Sequence, residues 1–217
     1  MELHLLLLPS QTHHREISLL AHKWANQQLA RILSLDPVLI QWDTTHHGKP
    51  FLASHPSLHF NLSHRRNLVV LLIDSDEVGI DIEAHQYRDF NKLVRRYFHP
   101  QEQAWFQSQP NQTEAFYTLW TAKEALLKGE GIGIRQKLSL FSVIDDKGTL
   151  ASPLPCWKLF SFVLFETAPF TITLCWKTSP PPSTITIWRE EYPRILPIQK
   201  VDKNTPLSVL YSQGEKL

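Results

Sequence analysis

Gly79-Ile80-Asp81-Ile82-Glu83 constrains this chain more than any other stretch. Strict alternation of apolar and acidic residues reads as a β-strand, with Ile80 and Ile82 on one face and Asp81 and Glu83 on the other. Two carboxylates about 7 Å apart along a strand repel each other unless water or a cation stands between them. The second fixed point is a helical stretch ending in Trp120-Thr121-Ala122-Lys123-Glu124-Ala125-Leu126-Leu127-Lys128. It sets Glu124 and Lys128 one turn apart on one face. Three carboxylates with a lysine beside them suit a magnesium ion that keeps waters and phosphate oxygens. A solvated strand face and a lysine placed favourably at a helix C-terminus are the plain alternatives.

The remaining pattern is mixed. Leu3–Leu8 reads as a buried strand, and Arg15–Leu33 as an amphipathic helix stopped by Asp36-Pro37. Val38–Trp42 and Leu58–Leu62 are short strand candidates, with a turn at 63–66. Leu68–Asp74 is a continuous apolar strand, and Val78–Glu83 is expected to return against it as a hairpin. Short helices are expected at Phe90–Phe98 and Gln101–Gln107. The longest runs from Gln112 to Lys128, capped by Asn111 and stopped by Gly129, Gly131 and Gly133. Leu138–Ile144, Trp157–Phe165 and Phe170–Trp176 are strand-rich, and the proline-containing tail is expected to be irregular. This is an α+β pattern. A strand–helix–strands unit recurs, which predicts two similar lobes, each a small antiparallel sheet packed with a long helix. The lobes would be 1–77 and 78–178 with the site in the cleft between them, followed by a tail at 179–217.

Composition narrows the function classes. A net charge of +1 over 217 residues argues against a general nucleic-acid binder. Two cysteines without a CxxC pattern argue against a disulfide framework and predict buried thiols. The apolar amino terminus is too short for a signal-peptide core, and no run approaches the roughly 18 residues of a membrane span. A cytoplasmic location without membrane contact is therefore expected. Neither histidine pair has a metal-protease spacing, and phosphate-loop, dinucleotide and GxSxG patterns are absent. Lys49, His64 and Lys128 each have a bland reading as a turn, strand-end or helix-end residue. Taken with the acids, they outline a polyanion site.

Gly48-Lys49-Pro50, Phe60-Asn61-Leu62-Ser63-His64, Gly79-Ile80-Asp81-Ile82-Glu83 and Trp120-x-x-Lys123-Glu124-Ala125-x-x-Lys128-x-x-Gly131-x-Gly133 occur in this order. Together they resemble the motif set of the 4'-phosphopantetheinyl transferases, in the long, two-lobed class. The segment from about 78 onward resembles one subunit of the short holo-acyl-carrier-protein synthases. The resemblance implies transfer of the phosphopantetheine arm of coenzyme A to a serine of an apo acyl, peptidyl or polyketide carrier protein, releasing 3',5'-ADP. It implies Asp81, Glu83 and Glu124 as ligands of Mg2+, or Mn2+, and Lys49, Ser63, His64, Lys123 and Lys128 as coenzyme A contacts. Glu102 falls on the position of a general base, with Glu124 and Lys128 also catalytic, in a monomeric enzyme. A non-catalytic paralogue that binds coenzyme A or a carrier protein is the alternative. Two departures stand out. The basic helix usual after the first strand is replaced by His13-His14-Arg15, and the small residue usual after Ser-His is Arg65, leaving Arg15 or Arg65-Arg66 as substitutes.

Overall fold

A computed structural model describes residues 1–132, 137–165, 168–177, 184–191, 194–196 and 200–202. Gly133 of the glycine-rich stop and most of the 179–217 tail lie outside the described residues.

The chain begins with β1 (Glu2–Leu7) and α1 (His14–Leu33), a 3-10 turn at Pro37–Leu39, and the short strands β2 (Asp43–Thr44) and β3 (Pro50–Phe51). Next come β4 (His59–Arg65), β5 (Leu68–Asp74) and β6 (Val78–Ala84), then α2 (Phe90–Tyr97), α3 (Pro100–Ser108) and α4 (Gln112–Glu130). A 3-10 turn at Leu138–Leu140 precedes β7 (Lys158–Phe165) and β8 (Pro169–Trp176). The last strands are β9 (Thr184–Glu191), β10 (Arg194–Leu196) and β11 (Lys200–Asp202).

The first sheet runs β10-β9-β1-β5-β4, with β11 also on β9; the second runs β6-β8-β7. β1 pairs antiparallel with β5 and parallel with β9, so part of the tail expected to be irregular joins the first sheet. Alternation decides the layers. Leu68, Val70 and Leu72 of β5 face a core shared with Ile80, Ile82, Ile172 and Leu174 of the second sheet. Val69, Leu71 and Ile73 face α1 through Ile17, Trp24 and Leu29. α4 covers the outer face of the second sheet, and α2 and α3 pack beyond it around Phe98, Phe106 and Phe116. The result is an α+β fold.

Five local expectations change. β6 does not form a hairpin with β5; its ladder is with β8, from Val78↔Trp176 to Ala84↔Phe170. β4 continues through Ser63 and His64 to Arg65, and the turn falls at Arg66 with φ 52°. Val38–Trp42 is not a strand: Asp36 accepts from the Val38 N–H, and Pro37 starts a 3-10 turn. Leu138–Ile144 keeps only an isolated bridge from Ile144 to Leu150, because buried side chains of α3 and α4 take up its backbone groups. Of the two thiols expected to be buried, Cys175 is and Cys156 is exposed.

Candidate active site

The site begins with one close packing. A Cβ on Gly79 would stand 2.5 Å from Gly129 N and nearer still to Ala125 O, so the backbone of α4 lies directly on β6 there. Only glycine allows this approach. The Cys175 thiol reinforces it by donating to Ala125 O at 3.0 Å. With the two elements locked, the acidic face of β6 looks at the Glu124 and Lys128 side of α4. At the helix end Gly131 adopts φ 70°, and its N–H bonds back to the helix.

Lys128 Nζ donates to Asp81 Oδ1 at 2.6 Å and to Ser63 Oγ at 3.0 Å, and Ser63 Oγ donates to Asp81 Oδ1 at 3.1 Å. Arg65 Nε forms an ion pair with Glu83 Oε2 at 2.9 Å. Asn61 Oδ1 accepts from Ile80 N at 2.8 Å. Asn61, Ser63 and Arg65 therefore form a side-chain ladder from β4 onto β6 in place of a backbone ladder. Extending the 58–62 strand by three residues would have exposed this alternation in the sequence; reading 63–66 as a turn hid it.

Asp81 is 6% exposed, and its Oδ2 is buried with no hydrogen-bond partner among the described residues. Burial pushes the Glu83 and Glu124 carboxyls above the usual range, and in each case the neighbouring acids add to the rise. Such a set favours a cation. Among the described residues, no three His, Cys, Asp or Glu side chains stand around a common metal position. Lys128 on Asp81 and Arg65 on Glu83 occupy the acids instead.

On the opposite face of β4, Leu62 and His64 line a cavity of about 610 Å³ with Ser18, His22, Trp42 and Gly48. His22 lies over Trp42, with ring centroids 4.4 Å apart. Asn26 also lines the cavity; its Oδ1 and the Trp42 Nε1 are buried without partners among the described residues. His14 stands edge-on to His64, and burial, then His14 and Lys128, lower the His64 pKa. No sequence signal pointed to His22, Asn26 or Trp42, because helix α1 and the 40–50 segment meet only in the folded chain.

Three expected site residues lie elsewhere. Lys49 Nζ donates to Gly129 O, and its aliphatic stem covers Gly131, so it holds the end of α4. Lys123 and Glu102 form an ion pair at 2.9 Å with both side chains at 0% exposure. Lys123 also donates to Leu138 O at 2.7 Å and Phe141 O at 2.5 Å. Glu102 also accepts from Val143 N at 2.8 Å and His99 N at 2.9 Å. A general base needs an oxygen within reach of the incoming hydroxyl, and Glu102 presents none to solvent. This placement opposes the expected base role. Burial raises the Glu102 pKa and lowers that of Lys123.

Residues 77–175 match the family model of the 4'-phosphopantetheinyl transferase superfamily. Over these residues, a little under half of its length, the chain is similar to that superfamily. A 4'-phosphopantetheinyl transferase of Bacillus subtilis is 36% identical over 129 residues, 58% of this chain and 57% of the relative. The psf-1 transferase of Bacillus pumilus is 39% identical over 125 residues, 54% of this chain and 53% of the relative. The transferase HetI of a Nostoc strain is 31% identical over 144 residues, covering 62% and 60%. The matched stretch thus spans between half and two thirds of each of these transferases. It holds two of the four motifs of the superfamily resemblance, including Asp81, Glu83, Glu124 and Lys128. Among the described residues no helix is long and apolar enough to cross a membrane.

Proposed function

We propose that this chain transfers the 4'-phosphopantetheine arm of coenzyme A to a serine of an apo carrier protein and releases 3',5'-ADP. The observation that carries the reading is the unpartnered, buried Asp81 Oδ2 beside Glu83 and Glu124. Residues 1–77, with strands drawn from 184–202, form the first lobe in this reading. Residues 78–178 form the second, and the site lies in the cleft between them. The protein acts as a cytoplasmic monomer without membrane or nucleic-acid partners.

Asp81, Glu83 and Glu124 would hold Mg2+ or Mn2+, which would neutralise the pyrophosphate as a Lewis acid. Lys128 and Ser63 lie against Asp81, and we assign them to the pyrophosphate oxygens. His64 and the cavity on the far face of β4 take the nucleotide end of coenzyme A; His22 and Trp42, packed ring against ring at a tilt, offer it an aromatic wall. The serine Oγ–P bond forms as the bond to 3',5'-ADP breaks, and the serine proton leaves with solvent or a base. Charge growing on the transferred phosphoryl and on the departing ADP meets Lys128, a fixed cation that needs no reorganisation. Lys49 and the Lys123–Glu102 pair hold α4 and the 138–143 segment in register, keeping Glu124 and Lys128 opposite β6.

The test is incubation with coenzyme A, magnesium and an apo acyl carrier protein, followed by mass spectrometry of the carrier. The expected result is a gain of one phosphopantetheine arm, lost in Asp81→Ala and Glu124→Ala. Coenzyme A binding without any transfer would favour a non-catalytic binding paralogue.

A further inference from the structure

The acid cluster carries its own counter-ions. Lys128 sits on Asp81 at 2.6 Å. Arg65 sits on Glu83 at 2.9 Å, with the guanidinium side chain 38% exposed and the carboxylate 21%. The Arg65 position is fixed by backbone. β4 pairs with β5 up to Arg65↔Leu68, and the same face of β4 holds Ser63 on Asp81 and Asn61 on the Ile80 N–H. The arginine therefore reaches Glu83 from a strand already docked on β6, with little further loss of backbone freedom. Its half-exposed guanidinium can leave Glu83 without exposing any core. Arg88 is a second cation near Glu83, and its guanidinium donates to Gln86 Oε1 at 3.3 Å.

We propose that Arg65 is a built-in counter-ion that competes with the divalent cation for Glu83, and that the pyrophosphate of the co-substrate takes Arg65 over once the cation is bound. The inference rests on the metal-dependent transferase reading above. A guanidinium matches a phosphate as well as a carboxylate, with two parallel N–H donors for either. Cation and co-substrate are then linked. Removing Arg65 from Glu83 opens a metal position, and the pyrophosphate stabilises the arginine in its new place. By reciprocity each ligand raises the affinity for the other.

The experiment measures Mn2+ binding to the full chain by titration calorimetry and by the electron paramagnetic resonance signal of free Mn2+, with and without coenzyme A. In the wild type, coenzyme A tightens Mn2+ binding. In Arg65→Ala, Mn2+ alone binds about three- to fivefold tighter than in the wild type, the worth of a partly exposed ion pair. The enhancement by coenzyme A shrinks in the same variant. Arg65→Lys, which keeps the charge, stays near the wild type and controls for a general effect on the strand. Unchanged or weaker Mn2+ binding by Arg65→Ala in the absence of coenzyme A overturns the inference while leaving the transferase reading intact. A wild type that binds no Mn2+ under either condition overturns both.

Discussion

Lys128 Nζ and Asp81 Oδ1 stand 2.6 Å apart, joining the last turn of α4 to the middle of β6, with Ser63 of β4 bonded to both. One ammonium group thus ties together three elements that are far apart in sequence. Replacing Lys128 with Met keeps the stem and removes the charge. Steady-state assays are expected to show kcat reduced about 100-fold or more, the scale of losing one preorganised charge at a phosphoryl or oxyanion centre. A variant within a factor of two of the wild type would remove Lys128 from the chemistry.

Gly79→Ala tests the contact that creates the site. The added methyl group would press on Ala125 O and Gly129 N, both helix backbone that cannot rotate away. The expected cost is about 1–3 kcal/mol or more in urea unfolding, with activity lost even where the variant is folded, because Glu124 and Lys128 shift from Asp81. Full activity in Gly79→Ala would mean that α4 and β6 are not locked as described.

The Glu102–Lys123 pair separates support from catalysis. Lys123→Met strands a buried carboxylate, and Glu102→Gln removes the partner charge from a buried ammonium. Each is expected to destabilise by about 3–5 kcal/mol, and Glu102→Leu/Lys123→Met by less than the sum of the single changes. Below its unfolding temperature Glu102→Gln is expected to keep its kcat and the shape of its pH profile. A collapse of kcat with unchanged stability would restore Glu102 as the base.

His4, buried beside Trp24, gives an acid-sensitivity prediction. Burial pulls its pKa down from 6.5 to about 4, against the opposing effect of Glu2. The native state holds the neutral ring, so nothing is lost above the unfolded value of 6.5. As the pH falls from there toward 4 the unfolded chain takes up a proton that the folded chain does not. Stability is expected to decline by about 3 kcal/mol in total across that window. Urea midpoints measured between pH 7.5 and 4 check it, and His4→Leu is expected to flatten the slope. An equal slope in that variant would assign the loss to other groups.

What the sequence determined by itself is local. Alternation in 79–83 settled which β6 side chains enter the apolar core, because a strand has only two faces, and Ile80 and Ile82 enter it while Asp81 and Glu83 lie on the other face. Helical spacing put Glu124 and Lys128 on one face of α4, and Gly131 marked its end. The apolar run Leu68–Asp74 is a strand with the expected bounds. Partner choice was not local. Nothing in Val78–Ala84 says whether it pairs with β5 or with β8, since either neighbour satisfies the same backbone groups; the shared core between two sheets decided for β8. Leu138–Ile144 has strand-forming side chains, yet Lys123 and Glu102 take its carbonyls and an N–H, so a buried ion pair outweighs propensity. For the same reason the roles of single residues waited for the tertiary structure. Glu102 and Lys123 could be ranked as catalytic or supporting only once their exposure was known. Arg65 became a partner of Glu83 only when β4 was seen to run past Ser63 along the edge of β6.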